Sequence, residues 1–195
     1  MISCGDKLLK GFCGVDEAGR GPWAGPVVAS AVCLPKNYNL RGLDDSKKLS
    51  PNKRFELYKK ILVTADVGIG FASVKEIDQY NILQATFLAM VRAFKNLKTV
   101  PSFALIDGNR VPDKFPCEAK SIIKGDGKIP AISAASVVAK VTRDNHMKKL
   151  AESYKGYGWE KNFGYGVKYH QEALKVFGVT PEHRRSFKPI HNMLC

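Results

Sequence analysis

Acidic residues are scarce in this chain: 18 aspartates and glutamates stand against 31 lysines and arginines, a formal net charge of +13 over 195 residues. That imbalance favours a polyanionic partner, whether nucleic acid, ribosomal RNA or a charged membrane surface. It also makes each acid beside an apolar run conspicuous. No apolar run approaches the length of a membrane helix, and Met1 to Lys10 lacks a signal-peptide core, so a soluble, cytoplasmic protein with no membrane partner is expected. Five cysteines, Cys4, Cys13, Cys33, Cys117 and Cys195, are odd in number and contain no Cys-x-x-Cys pairing. A disulfide framework or a zinc site is therefore not expected. Cys13 and Cys33 fall in apolar runs and read as small buried thiols. Internal repeats and low-complexity linkers are missing too, and the length suits one domain with a small terminal module.

Apolar runs at Phe12–Val15, Val27–Leu34, Val67–Ser73 and Phe103–Ile106 predict strands, with a fifth around Cys117–Ile123. Between them lie helical patterns. Pro51, following Ser50, opens one that carries Phe55, Leu57, Ile61 and Leu62, while Leu83, Phe87, Met90, Val91, Phe94 and Leu97 recur at helical spacing in a second. Pro130 opens a third that runs to about Tyr154, with small residues at Ala131, Ser133, Ala134, Ala135, Ser136 and Ala139 that suit close packing on a sheet. An amphipathic helix near Gln171–Phe177 follows in an aromatic, basic tail. Strands interleaved with helices give an α/β fold, a mixed sheet flanked by helices.

The chemistry gathers where strands end. In Gly14-Val15-Asp16-Glu17-Ala18-Gly19-Arg20-Gly21-Pro22 an apolar stretch stops at two acids and enters a glycine-arginine-glycine turn. A buried acid is costly unless a charge pairs with it, and a divalent cation would do so. The glycines let the backbone approach a ligand closely, and Arg20 adds a forked donor suited to phosphate. Asp107 ends a second strand, and Asp126, between Gly125 and Gly127, approaches from a loop. Four carboxylates can thus converge on Mg²⁺ or Mn²⁺, hard ions that prefer oxygen and that act on phosphodiesters in pairs about 3.5–4 Å apart. Strand alternation would send Asp16 and Glu17 to opposite faces, so both can ligate only where the strand ends or bulges.

Other segments suit a nucleic-acid groove and suit plainer roles equally. Asp44-Asp45-Ser46-Lys47-Lys48-Leu49-Ser50 offers phosphate contacts or ordinary helix capping. Gly156-Tyr157-Gly158-Trp159 and Gly164-Tyr165-Gly166 set aromatics between glycines, to stack on a base or to plug a core. His183-Arg184-Arg185-Ser186 is a compact donor cluster, on phosphate or in solvent, and His183 lacks partners at zinc-ligand spacing.

These residues together resemble the ribonuclease HII family, the bacterial type 2 ribonucleases H. The resemblance runs in order through Asp16 to Pro22, Asp45-Ser46-Lys47-Lys48-Leu49, Asp78 to Leu83, Ile106-Asp107-Gly108, Lys124-Gly125-Asp126, Ser133 to Asp144, Gly164-Tyr165-Gly166 and His183 to Phe187. It implies a ribonuclease H-like catalytic domain over 1–154 and a C-terminal helical, substrate-contact module over 155–195. A two-metal site of Asp16, Glu17, Asp107 and Asp126 is implied, holding Mg²⁺ or Mn²⁺. The same resemblance implies that Gly19, Arg20, Gly21 and Tyr165 read the ribose 2′-hydroxyl at an RNA–DNA junction. Lys47, Arg184, Arg185 and Ser186 map near substrate phosphates, and Asp144 suits a salt bridge as well as a site role. Trp23, Phe163 and Val167 depart from the usual pattern without removing a ligand.

The expected protein is a monomeric endonuclease that hydrolyses the RNA strand of RNA–DNA hybrids and cuts 5′ to single ribonucleotides in duplex DNA. Its rivals are a DNA-junction nuclease on the same general fold and a non-enzymatic RNA-binding protein. The longer sister family, ribonuclease HIII, is disfavoured by the short stretch ahead of the first strand.

Overall fold

A computed structural model describes residues 11–40, 42, 43, 46 and 48–195. Five strands, β1 (Phe12–Ala18), β2 (Val27–Cys33), β3 (Asp66–Ala72), β4 (Phe103–Asp107) and β5 (Glu118–Ile122), form one sheet in the order β3-β2-β1-β4-β5. β1 pairs antiparallel with β2 and parallel with β4, and β4 pairs parallel with β5. The helices are α1 (Pro51–Thr64), α2 (Val74–Lys95), α3 (Pro130–Ser153), α4 (Trp159–Asn162), α5 (Lys168–Phe177) and α6 (Lys188–Leu194), with a 3-10 turn at Gly125–Gly127 before α3. The mixed sheet flanked by helices expected from the strand and helix patterns is what forms. The short helices α4 and α6 were not among the expected elements.

Strand alternation sorts the two sheet faces. Val27, Ala29 and Ala31 of β2 join Ala85, Ala89, Met90 and Ala93 of α2 in one cluster, while Val32 meets Leu57 and Ile61 of α1 and Ala134 and Val138 of α3 in another. Fully burying side chains such as Leu57, Ile61 and Ile106 contributes about 1.5–3 kcal/mol each. The small residues of α3 serve close packing: Ala131, Ser133, Ala134, Ala135, Ser136 and Ala139 are all buried. Gly14 completes that contact, since a Cβ there would come within 2.1 Å of the Ala131 backbone. The first turn of α3 is thereby pressed directly onto β1, beside the acids.

Caps and one kink fix the remaining helices. Ser50 accepts from the Lys53 N–H at the start of α1, and Ser73 with Glu76 forms a reciprocal capping box at the start of α2. Within α2, Asn81 adopts φ 68° and its Oδ1 accepts from the N–H groups of Leu83 and Gln84, so the helix breaks and is capped afresh. A further cluster joins Ala24 and Met147 to Tyr157, Trp159, Ala173, Leu174 and Ile190, tying the C-terminal segment to the end of α3 and to the β1–β2 connection.

Candidate active site

The sheet splits where the acids lie. The β1–β4 pairing ends at Val15↔Ile106, whereas β1 stays paired with β2 through Ala18↔Val28. Asp16 and Asp107 are the residues immediately after that last parallel pair, at the carboxyl end of the β1–β4 pairing, the kind of edge where ligands of open α/β sheets collect. The expectation that β1 ends or bulges at its acids is corrected. Regular pairing continues through Asp16↔Ser30 and Glu17↔Ala29, the opening comes from loss of the β4 neighbour instead, and the Glu17 carboxylate still lies close enough to Asp16 to act on its pKa.

Asp16 is 5% exposed. Burial, and then the carboxylates of Glu17 and Asp107, push its pKa well above the usual carboxylate range, with the Ser136 hydroxyl and the Glu17 N–H opposing. The Glu17 N–H donates to Asp16 Oδ1 at 2.7 Å. Glu17 itself pairs with Arg20 Nη1 at 3.3 Å. Asp126 sits buried in the 3-10 turn, and the N–H groups of Gly125 and Asp126 donate to Asp107 Oδ1 at 2.7 and 3.3 Å. Asp107 thus anchors the turn that carries Asp126.

Oxygen donors held under mutual repulsion are the chemistry that a hard divalent cation relieves, and in that respect the residues fit Mg²⁺ or Mn²⁺. Among the described residues, no three His, Cys, Asp or Glu side chains close up tightly enough to hold an ion. Like charges spread apart, and Asp107 spends one oxygen on the Gly125–Asp126 backbone.

Beside the acids lies a cavity of about 320 Å³, lined by Glu17, Gly19, Arg20, Gly21, Ser136, Lys140 and Tyr165 among others. Gly19 has φ +95°, and any side chain there would collide with Arg143. Two buried guanidiniums set this loop. Arg143 donates to the carbonyls of Pro26 (2.9 Å), Ala24 (3.0 Å) and Phe163 (3.0 Å). Arg184 donates to those of Gly19 (2.6 Å), Arg20 (2.9 Å) and Gly25 (3.0 Å). Burial lowers Arg143 to about 10 and Arg184 to about 9, so both remain cations at neutral pH.

Arg184 therefore requires correction. At 0% exposure it offers phosphate no surface, and its donors are used on the backbone of the glycine-arginine-glycine loop. Arg185 and Ser186 remain exposed, and their N–H groups and the Ser186 hydroxyl are held by the Asp78 carboxylate. Lys47 lies outside the described residues. Asp144 forms a salt bridge with Lys140 at 2.8 Å.

The two glycine-flanked tyrosines separate. Tyr157 is 4% exposed and donates its hydroxyl to the Gly178 carbonyl, and Trp159 is buried beside it. Tyr165 is 44% exposed, with Cε1 3.6 Å from where a Gly21 Cβ would stand, so its ring flanks the loop that follows Asp16 and Glu17. Ser136, Lys140 and Arg143 also line the cavity and were not among the expected site residues. The signal lay in the sequence: their spacing of four and three places them along one face of α3.

Comparison with known proteins bears on this geometry. The model of the family described as Ribonuclease HII matches residues 13–190. The chain belongs to the ribonuclease HII family. Ribonuclease HII of Jannaschia sp. (strain CCS1) is 57% identical over 182 residues, covering 93% of this chain and 92% of that one. Among solved structures, the ribonuclease H2 of Pyrococcus horikoshii OT3 is 30% identical with a TM-score of 0.77, covering 94% of this chain and 96% of its own. Bst-RNase HIII in complex with Mn²⁺ shares the fold, with a TM-score of 0.69 at 16% identity over 94% of this chain and 69% of its own. As a ribonuclease HII family member the chain is a type 2 ribonuclease H, a hydrolase acting on nucleic acid. None of its described helices is long and apolar enough to cross a membrane.

Proposed function

We propose that the chain hydrolyses the RNA strand of RNA–DNA hybrids and cuts duplex DNA on the 5′ side of a single embedded ribonucleotide, leaving 3′-hydroxyl and 5′-phosphate ends. The observation that carries this reading is the juxtaposition of Asp16 and Asp107 at the split between β1 and β4, next to a cavity flanked by Gly19–Gly21 and Tyr165. Mg²⁺ or Mn²⁺ held by Asp16, Glu17, Asp107 and Asp126 would act as a Lewis acid that activates water and steadies the departing 3′-oxygen. Bst-RNase HIII, of the same fold, is a Mn²⁺ complex.

The chain's own groups supply the rest. Asp16 and Asp107 present oxygens from rigid strands, and the Gly125 and Asp126 N–H groups orient Asp107. Gly19, Arg20 and Gly21 bring backbone and a guanidinium to the ribose, with the Gly19 and Arg20 carbonyls held from behind by Arg184. Tyr165 closes the other side and reads the sugar at the junction. The exposed Arg185, with Lys47, carries phosphate contacts, while Ser186 gives its hydroxyl and N–H to Asp78 and positions the segment. Residues 1–154 serve catalysis and 155–195 substrate contact, in a cytoplasmic monomer that removes hybrids and repairs embedded ribonucleotides.

The test is to incubate the purified chain with Mg²⁺ or Mn²⁺ and a DNA duplex containing one ribonucleotide, then map the cut and its ends. A single cut 5′ to the ribose with a 3′-hydroxyl is expected. Equal cleavage of the all-DNA duplex would instead identify a DNA-junction nuclease.

A further inference from the structure

Two histidines that the reaction does not use are buried behind Tyr165. His170 on α5 and His183 after it are both fully buried, with Nε2 atoms 3.1 Å apart. The hydrogen bonds fix their tautomers. His183 Nδ1 accepts from the Thr180 N–H at 2.9 Å, so its proton lies on Nε2 and points at His170. His170 Nε2 accepts from this group and from Trp159 Nε1–H at 3.1 Å. Its Nδ1 lies 2.9 Å from the Tyr165 carbonyl, which can only accept, so Nδ1 carries the proton. Burial lowers both histidines, His183 to about 4, so each holds a single proton at neutral pH as this chain requires.

The neighbouring peptides are held as well. The Tyr165 N–H donates to the Asn162 carbonyl at 2.9 Å, and the Trp23 N–H donates to the Gly164 carbonyl at 2.8 Å. Trp23, which follows the glycine-arginine-glycine-proline turn, lies against Gly166 and its ring centroid is 6.1 Å from that of His170. An exposed ring thus rises from a backbone fastened on both sides. A half-exposed aromatic needs that restraint to present one pose to a sugar.

We propose that His170, backed by His183, is a positioning residue for Tyr165: its Nδ1–H holds the Tyr165 peptide so that the ring stays beside Gly21 and discriminates the single-ribonucleotide junction. This rests on Tyr165 being a substrate reader. Asparagine can place its amide nitrogen where Nδ1 stands, and glutamine can mimic only the Nε2 side. His170→Asn should therefore keep the ratio of kcat/KM on a single-ribonucleotide duplex to that on a long hybrid. The Tyr165 carbonyl keeps the Val167 N–H at 2.9 Å in both variants, and His170→Gln, which removes the second donor, should lower that ratio up to about tenfold, the rate equivalent of one hydrogen bond. Placed on Tyr165→Ala, His170→Gln should lower it no further, because it acts through the missing ring.

Equal ratios for the two His170 variants, with only their melting temperatures reduced, would overturn the positioning role. If Tyr165→Ala itself leaves the ratio unchanged, the reader assignment falls first and the positioning role with it. A further measurement needs no variant. Nitrogen-15 NMR of the wild-type imidazoles at neutral pH should show the proton on Nδ1 of His170 and on Nε2 of His183, and the opposite tautomer at His170 would also overturn the proposal.

Discussion

The carboxylate corner and the glycine-arginine-glycine loop adjoin one cavity, yet they are built by opposite means. Asp16 and Asp107 are placed by strand register, each one residue beyond Val15↔Ile106, with Asp107 further oriented by the N–H groups of Gly125 and Asp126. The loop is held from outside by guanidiniums that arrive from far along the chain, Arg184 binding the Gly19 and Arg20 carbonyls and Arg143 those of Ala24 and Pro26 just beyond. Negative charge accumulates at the first and buried positive charge sits behind the second. On the proposed reading, chemistry would rest on paired strands, and recognition on a loop whose Gly19 and Arg20 carbonyls are held by Arg184 of the C-terminal segment.

Variants should separate the two. The largest effect on turnover is expected at the corner: Asp107→Asn should lower cleavage by at least about a hundredfold while the melting temperature changes little. Near-normal turnover at saturating Mg²⁺ would remove Asp107 from the chemistry. Next comes the support of the loop. Arg184→Met leaves the Gly19, Arg20 and Gly25 carbonyls without their donor, and should cost about 3–5 kcal/mol in a urea unfolding experiment. A variant that keeps full stability but loses salt-dependent binding to duplexes would restore Arg184 as a phosphate contact.

Smaller effects should divide the tyrosines. Tyr165→Ala should lose about 1–3 kcal/mol of transition-state stabilisation on the single-ribonucleotide duplex, less on a long hybrid, with the fold intact. Tyr157→Phe should cost about 1 kcal/mol of stability, through its lost bond to the Gly178 carbonyl, and leave substrate preference alone. The comparison breaks if both act only on melting temperature.

The smallest effect is on pH dependence, where the corner and the histidine pair behind Tyr165 carry opposite signs. Asp16 has a raised pKa in the folded state, so in metal-free protein its contribution is fully present below the unfolded value of 3.8 and is lost as pH rises. His183 has a depressed one, so its contribution is present above 6.5 and is lost as pH falls towards about 4. Melting curves across pH should show Asp16→Asn relieving the loss on the alkaline side and His183→Asn relieving it on the acid side.

Strand positions, sheet class and the acids were legible because apolar runs and isolated charges are local signals. The extent of β1 was not, since Asp16 and Glu17 look like a terminus while β2 continues to pair with them. Arg184 misled for a physical reason: a run of donors shows capacity but not what it faces. The counter-signal was the tight Gly19–Pro22 turn, whose carbonyls need donors from elsewhere. The tyrosines were undecidable locally, because glycine flanks both and only the packing of Tyr157 against Trp159 and Phe177 separates them.

The separation of corner from loop is tested most directly by the shift in melting temperature that Mn²⁺ produces in metal-free wild type, Asp107→Asn and Tyr165→Ala. Bound cation should relieve the repulsion around Asp16, so wild type and Tyr165→Ala should rise together and Asp107→Asn should rise little or not at all. A full shift in Asp107→Asn, or its loss in Tyr165→Ala, would contradict the account.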